Sequence, residues 1–197
     1  MKIFYTSFLA LFFLFSFFAK GFGQTRTKFI TTATPLGSYE LEQYRQNLWD
    51  SFPLADGSIN DFEGIFTTAE EKILDSTITS LERLKEVEIV IVTLDTNMVS
   101  KEKFNEFAIH LLDVWHVGKG VKNNGILICI SSGYKQMRIS NNFGIERILS
   151  DAETQDLIDK KFIPSYKHSR YYKGTLTGLK ALINKIYSRL YINVVKN

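Results

Sequence analysis

Two continuous β-branched runs, 88–94 (EIVIVTL) and 125–131 (GILICIS), restrict this chain more than any other feature. Neither alternates apolar with polar residues, so both faces of each strand must be covered, as inside a mainly parallel sheet. Between the runs, Phe104, Phe107, Ala108, Leu111, Leu112 and Trp115 recur at helical spacing. Strand, helix, strand reads as a βαβ unit with parallel strands at 89–94 and 126–131, for which a right-handed crossover is expected. Phe104, Leu111 and Trp115 should then be buried against the sheet.

The remaining elements fit around that unit. Thr67 and Thr68, followed by Glu70 and Glu71, form overlapping capping boxes. They open a helix over 68–85 that places Leu74, Ile78 and Leu81 on one side. Ser132-Gly133 turns the chain into an antiparallel partner strand over 135–140. Ser150 with Glu153 caps a further helix to about Phe162, which Pro164 should end. A last helix carries Leu176, Leu179, Ile183, Ile186 and Leu190. The fold class expected is α/β: a single three-layer α/β/α sandwich with a mixed, mainly parallel central sheet, over residues 59–190. Residues 24–58 read as a spacer with a short helix over 39–49.

The start of the chain is different material. Eight of the 16 phenylalanines fall in the first 23 residues, beside Lys2 and Lys20 and no acid. A positive start, an apolar run from Ile3 to Ala19, and Gly21 and Gly23 before Gln24 have the layout of a secretory signal. The mature chain is expected to begin at Gln24, outside the cytoplasm, secreted or periplasmic. The alternative is an uncleaved N-terminal membrane anchor, because the run just reaches spanning length. A single cysteine, Cys129, excludes an intramolecular disulfide and a Cys-rich zinc site.

Charge excludes one large class of partner. Of 24 basic residues, Lys2 and Lys20 lie in the leader; the rest outnumber the 21 acids by one. No nucleic-acid footprint follows from that balance. No phosphate-binding loop is present, since Gly118-Lys119-Gly120 follows a helix and precedes a strand, the reverse of the order an anion cradle needs. No G-x-S-x-G elbow occurs. The three histidines lack metal-ligand spacing. No organic cofactor is implied.

Five stretches occur in a recognisable order. Ile59-Asn60-Asp61-Phe62 is similar to V-N-D-Y, and Trp115-His116-Val117-Gly118 to W-x-I-G. Asn123-Asn124-Gly125-Ile126-Leu127 is similar to N-N-G-V-L-L, and Gly144-Ile145-Glu146 before Ser150-Asp151 to G-Y-G-L-E…T-D. Pro164 through Tyr171 is similar to P-x-F-[KR]-x-G-D-Y. Together, over about 59–187, they resemble the TPM domain family, which includes thylakoid-lumen proteins of photosystem II repair and many bacterial exported proteins. The resemblance implies an α/β/α sandwich. It also implies one of three activities seen among members: acid phosphatase, calcium binding, or service as an accessory factor for membrane proteins. Two departures stand out. Asn142 replaces the first glycine of G-Y-G, where Asn tolerates positive φ. Ser169-Arg170 replaces G-D, exchanging an acid for a cation.

Candidate site residues follow from both readings. Asp95 ends a parallel strand, where open α/β sheets bind ligands. Asp61, Glu146 and Asp151 lie in the matched stretches on loops. Four acids converging would suit Ca²⁺ or Mg²⁺, and such an ion could polarise a phosphate ester. The structural alternatives are a turn cap at Asp61 or Asp95, a surface ion pair at Glu146, and first-turn helix charge at Asp151. Arg138, Asn142 and Arg170, with Lys167, form a second set that could hold an anion or simply be solvated. Two functions are carried forward: an accessory module in the cell envelope docking on a membrane-protein or envelope-protein partner, and a cation-assisted acid phosphatase.

Overall fold

The computed structural model describes residues 37–195 apart from 86, 121 and 122, with the side chains of 81–85 and 191–195 outside that description. The leader at 1–23 and the spacer's first part, 24–36, lie outside the described residues. Among the described residues, no helix is long and apolar enough to cross a membrane.

After α1 (Ser38–Asp50), the chain alternates β1 (Ile59–Asp61), α2 (Thr68–Lys85), β2 (Glu88–Thr93), α3 (Phe104–Val114) and β3 (Gly125–Ser131). β4 (Gln136–Asn141) returns antiparallel, and α4 (Phe143–Glu146) and α5 (Asp151–Leu157) follow. A π-helical turn at Ile158–Phe162 leads into α6 (Ile163–Tyr166), and α7 (Tyr171–Val195) closes the domain. The sheet runs β1-β2-β3-β4, with the first three strands parallel and 89–94 beside 126–131 as expected.

The fully apolar strands work as their composition requires. Ile59, Ile91, Ile128 and Ile139 are register partners across all four strands. They sit in one core with Leu74 and Ile78 of α2 and Leu179, Leu182 and Ile186 of α7. The other face carries Val90, Val92, Leu127 and Cys129 under Phe104, Phe107 and Leu111 of α3. Phe52, just after α1, belongs to this second core. Its ring meets Phe62 edge-on at 5.2 Å and Phe107 at 5.4 Å. Trp49 stacks on His110 at 4.5 Å. The end of the stretch read as a spacer, Leu48, Trp49 and Phe52, therefore packs onto this face.

β1 and β3 flank β2 on opposite sides, while α2 and α3 cover opposite faces. The two crossovers are consequently of opposite hand, and one departs from the right-handed rule. The loops leaving β1 and β2 diverge to different faces, the arrangement that opens a crevice at the carboxyl ends of adjacent strands.

Three expectations are corrected. Trp115 is half-buried, its indole N–H donating to the Pro53 carbonyl at 2.8 Å, because it closes α3 at the layer's rim. Pro164 does not end the helical run. The Ile163 N–H reaches back to Ile158 in the π turn, so Pro164 falls in the first turn of α6, where its missing N–H is not needed. Asn142 has φ −77°, so no left-handed turn exists there.

Candidate functional site: the carboxyl edge of the sheet

The loops after β1, β2 and β3 meet at the carboxyl edge and are tied together by side chains. The Thr93 hydroxyl donates to Asp61 at 2.6 Å and accepts the Glu63 N–H at 2.9 Å. Asp61 also accepts the N–H groups of Ile65 and Phe66, at 3.2 and 2.8 Å. Its carboxylate thus shapes the loop that delivers α2, the turn-capping role. Asp95 accepts the Asn97 N–H at 2.8 Å, a local turn of the same kind.

Glu63 was not singled out by the sequence. It leaves the β1 loop, crosses the end of β2 and reaches the β3–β4 turn. There it accepts the Ser132 N–H at 2.9 Å, the Ser132 hydroxyl at 3.0 Å and the Gly133 N–H at 3.4 Å. Burial dominates its titration, opposed by these donors and reinforced by the nearby Asp95 charge, and pushes it up to about 7. The same turn is held from two other directions. The Tyr134 hydroxyl lies 3.0 Å from the Thr96 carbonyl and 2.9 Å from that of Val99. Tyr171 of α7 donates to the Ser132 carbonyl at 3.3 Å. A Cβ on Gly133 would come within 2.5 Å of the Thr96 methyl, so a larger residue there would require Thr96 to shift. From α1, Arg45 donates to the Thr96 carbonyl at 2.8 Å. The nearby Cys129 thiol is buried and pushed up chiefly by that burial, so it is held protonated.

A test follows from Glu63. A carboxyl whose folded value is raised destabilises the fold as pH climbs, because the folded state holds the proton that the unfolded state has released. Stability contributed by Glu63 is full below about 4.5 and is lost as pH passes about 7. Glu63→Gln keeps the acceptor and cannot ionise. Urea midpoints of the two chains should agree near the acid end of that window. On the alkaline side Glu63→Gln should be the more stable, by about 2 kcal/mol. A gap that ignores pH would remove the buried-carboxyl account.

The four proposed cation ligands do not share a site. Asp61 and Asp95 stand at the carboxyl edge. β4 runs antiparallel and delivers the chain to the opposite, amino edge, where the Gly144 N–H meets the Asn123 carbonyl. Glu146 and Asp151 follow from there, so a strand's length of roughly 20 Å separates the pairs. Asp151 occupies the first turn of α5 behind the Ser150–Glu153 capping box. Among the described residues no three His, Cys, Asp or Glu side chains group in a way that could hold a metal. Oxygens of Asp61 and Glu63 that would face a cation face N–H and O–H donors instead, so a four-acid Ca²⁺ or Mg²⁺ site does not fit.

The second set also separates. Asn142 is buried, and its side-chain amide donates to the Val117 carbonyl, holding the loop after α3 against the end of β4. The Arg138 Nε donates to the Ser140 hydroxyl at 3.1 Å. Arg170 is exposed at the α6–α7 corner with Lys167.

At the amino edge the matched stretches knit into one backbone contact. A Cβ on Gly125 would strike the Val117 carbonyl, and one on Gly118, whose φ is +68°, would strike the Gly125 backbone. The Asn142 N–H donates to the Gly125 carbonyl at 2.8 Å. These motif residues are conspicuous in sequence because chain segments touch there.

An open, mainly parallel four-stranded sheet between two helical layers defines an α/β sandwich domain. The family model of the TPM domain matches residues 59–185, and the chain belongs to that family. Three solved structures share the fold. The N-terminal domain of a protein from P. gingivalis superposes with a TM-score of 0.63 at 23% identity, over 74% of this chain and 90% of that one. The BA42 protein of the psychrophilic bacterium Bizionia argentinensis gives 0.57 at 20%, over 64% and 85%. The N-terminal domain of the cg2496 protein of Corynebacterium glutamicum gives 0.51 at 13%, over 68% and 83%. No curated protein matches the chain.

Proposed function

We propose that this TPM domain is an exported accessory module of the cell envelope that docks a membrane-protein partner on the carboxyl edge of its sheet. One observation carries the reading. The side chains placed for chemistry at that edge, Asp61, Glu63, Thr93 and Ser132, are hydrogen-bonded to one another's loops. Three loops tied in this way form a preorganised surface, which lowers the entropy lost on binding.

Photo-crosslinking tests it. A benzoylphenylalanine at exposed Asn97, on the carboxyl edge, should give discrete adducts with an integral membrane protein in the native envelope. The same group at Asp151, on the amino edge, should give none. In parallel, the purified protein should leave p-nitrophenyl phosphate intact with or without Ca²⁺ or Mg²⁺. Turnover abolished by EDTA would replace this reading with the cation-assisted phosphatase.

A further inference from the structure

From Lys160 to the end the chain has nine Lys and Arg and no Asp or Glu. The fold does not spread this charge evenly. α5 starts at the amino edge, the run through α6 climbs to the carboxyl edge, and α7 returns, its Tyr171 fixed to Ser132 and its Arg189 to Glu153 at 2.6 Å. Lys160, Lys185 and Arg189 pair with Asp156 or Glu153. Lys167, Arg170 and Lys173 are exposed at the α6–α7 corner and pair with no carboxylate among the described residues. Exposed Lys135 joins them from the β3–β4 turn, which Tyr171 holds against α7. The corner is rigid. The His168, Ser169 and Arg170 N–H groups donate to the carbonyls of Ser165, Tyr166 and Ser165, and Ser169 takes a φ of +55°. Of the nearby acids, Glu63 is drawn onto Ser132, and Asp95 is engaged by the Asn97 N–H in its own turn.

A second observation gives the direction. Arg45 of α1 reaches Thr96 at the carboxyl edge, while Trp49, a turn later, lies against His110 of α3. Followed backwards, α1 therefore leads past this edge to Gly37. The described residues thus begin, at Gly37, at the same end of the molecule as the basic corner.

We propose that Lys135, Lys167, Arg170 and Lys173 form a docking face for an anionic phospholipid bilayer. The uncompensated cations, gathered at the end of the molecule where Gly37 also lies, suit one flat, negative partner on that side. Each cation held near such a surface adds about fivefold to affinity. This inference is independent of any protein partner.

The full-length chain carrying His168→Cys, labelled with an environment-sensitive fluorophore, tests it; Cys129 is buried and stays unlabelled. Vesicles containing roughly one-third phosphatidylglycerol should shift the emission to the blue, and high salt should reverse the shift. Pure phosphatidylcholine should not cause it, although an apolar leader would insert into both kinds. A probe at Asp151→Cys should report nothing. Lys167→Glu/Arg170→Glu/Lys173→Glu should weaken the response more than a hundredfold. Equal responses to the two lipids, or from the two probes, would overturn the proposal and leave the crosslinking result standing. Salt dependence in the unreversed chain decides the matter if the triple variant does not fold.

Discussion

Gly125→Ala is expected to destabilise the domain by about 3 kcal/mol or more. The added methyl would meet the Val117 carbonyl and the Asn142 amide, both fixed. Neither is the free end of a flexible side chain, so relief requires separating β3 from the loop after α3. That movement would also stretch the bond from Asn142 N–H to the Gly125 carbonyl. Thermal unfolding of the variant should fall by roughly 10 °C for a domain of this size. A loss within a degree or two would show that the loop can retreat and that the contact is not fixed.

Phe107→Ala should cost about 3–5 kcal/mol. The ring is 1% exposed and contacts Trp49, Phe52 and His110, so its removal opens a cavity bounded by α1, α3 and the segment between α1 and β1. Chemical denaturation would measure the loss. Trp49 fluorescence should change with it, because the ring packed beside the indole is gone. A cost below 1 kcal/mol would mean that α1 is not docked on α3.

The sequence was most legible where local signals agree with packing. The two doubly covered strands, the Thr67–Glu70 and Ser150–Glu153 boxes and the α3 stripe appear where their residue patterns place them. β1 was not legible as a strand. Three residues with two polar side chains have little β character of their own, and only pairing with Ile91, Val92 and Thr93 makes them one. The site was harder to read. Glu63 is a lone acid in sequence, and its partners are 69 and 70 residues away. The signal available was position, two residues past Asp61 and outside a strand's carboxyl end. Glu146 and Asp151 stand apart from Asp61 and Asp95 for a local reason. The antiparallel turn into 135–140 was evident, and followed to its end it carries both acids away from Asp61 and Asp95. At Asn142 a residue standing where the family pattern has glycine does not take a glycine backbone. Here the side chain earns the position through its bond to Val117.

Strand order along the sheet equals strand order along the chain. Every strand therefore joins an edge that already exists, and none must be inserted between two formed neighbours. A chain delivered from its N-terminus can build this sheet in the order of its arrival, by contacts of short sequence separation. The layer holding Ile59, Ile91, Ile128 and Ile139 is different, since α7 supplies Leu179, Leu182 and Ile186 to it last. Until about the final 25 residues arrive, that face is open to other chains. The vulnerable interval in biogenesis is thus set by the arrival of one helix, and a chain cut short before it would present a finished sheet with one sticky side.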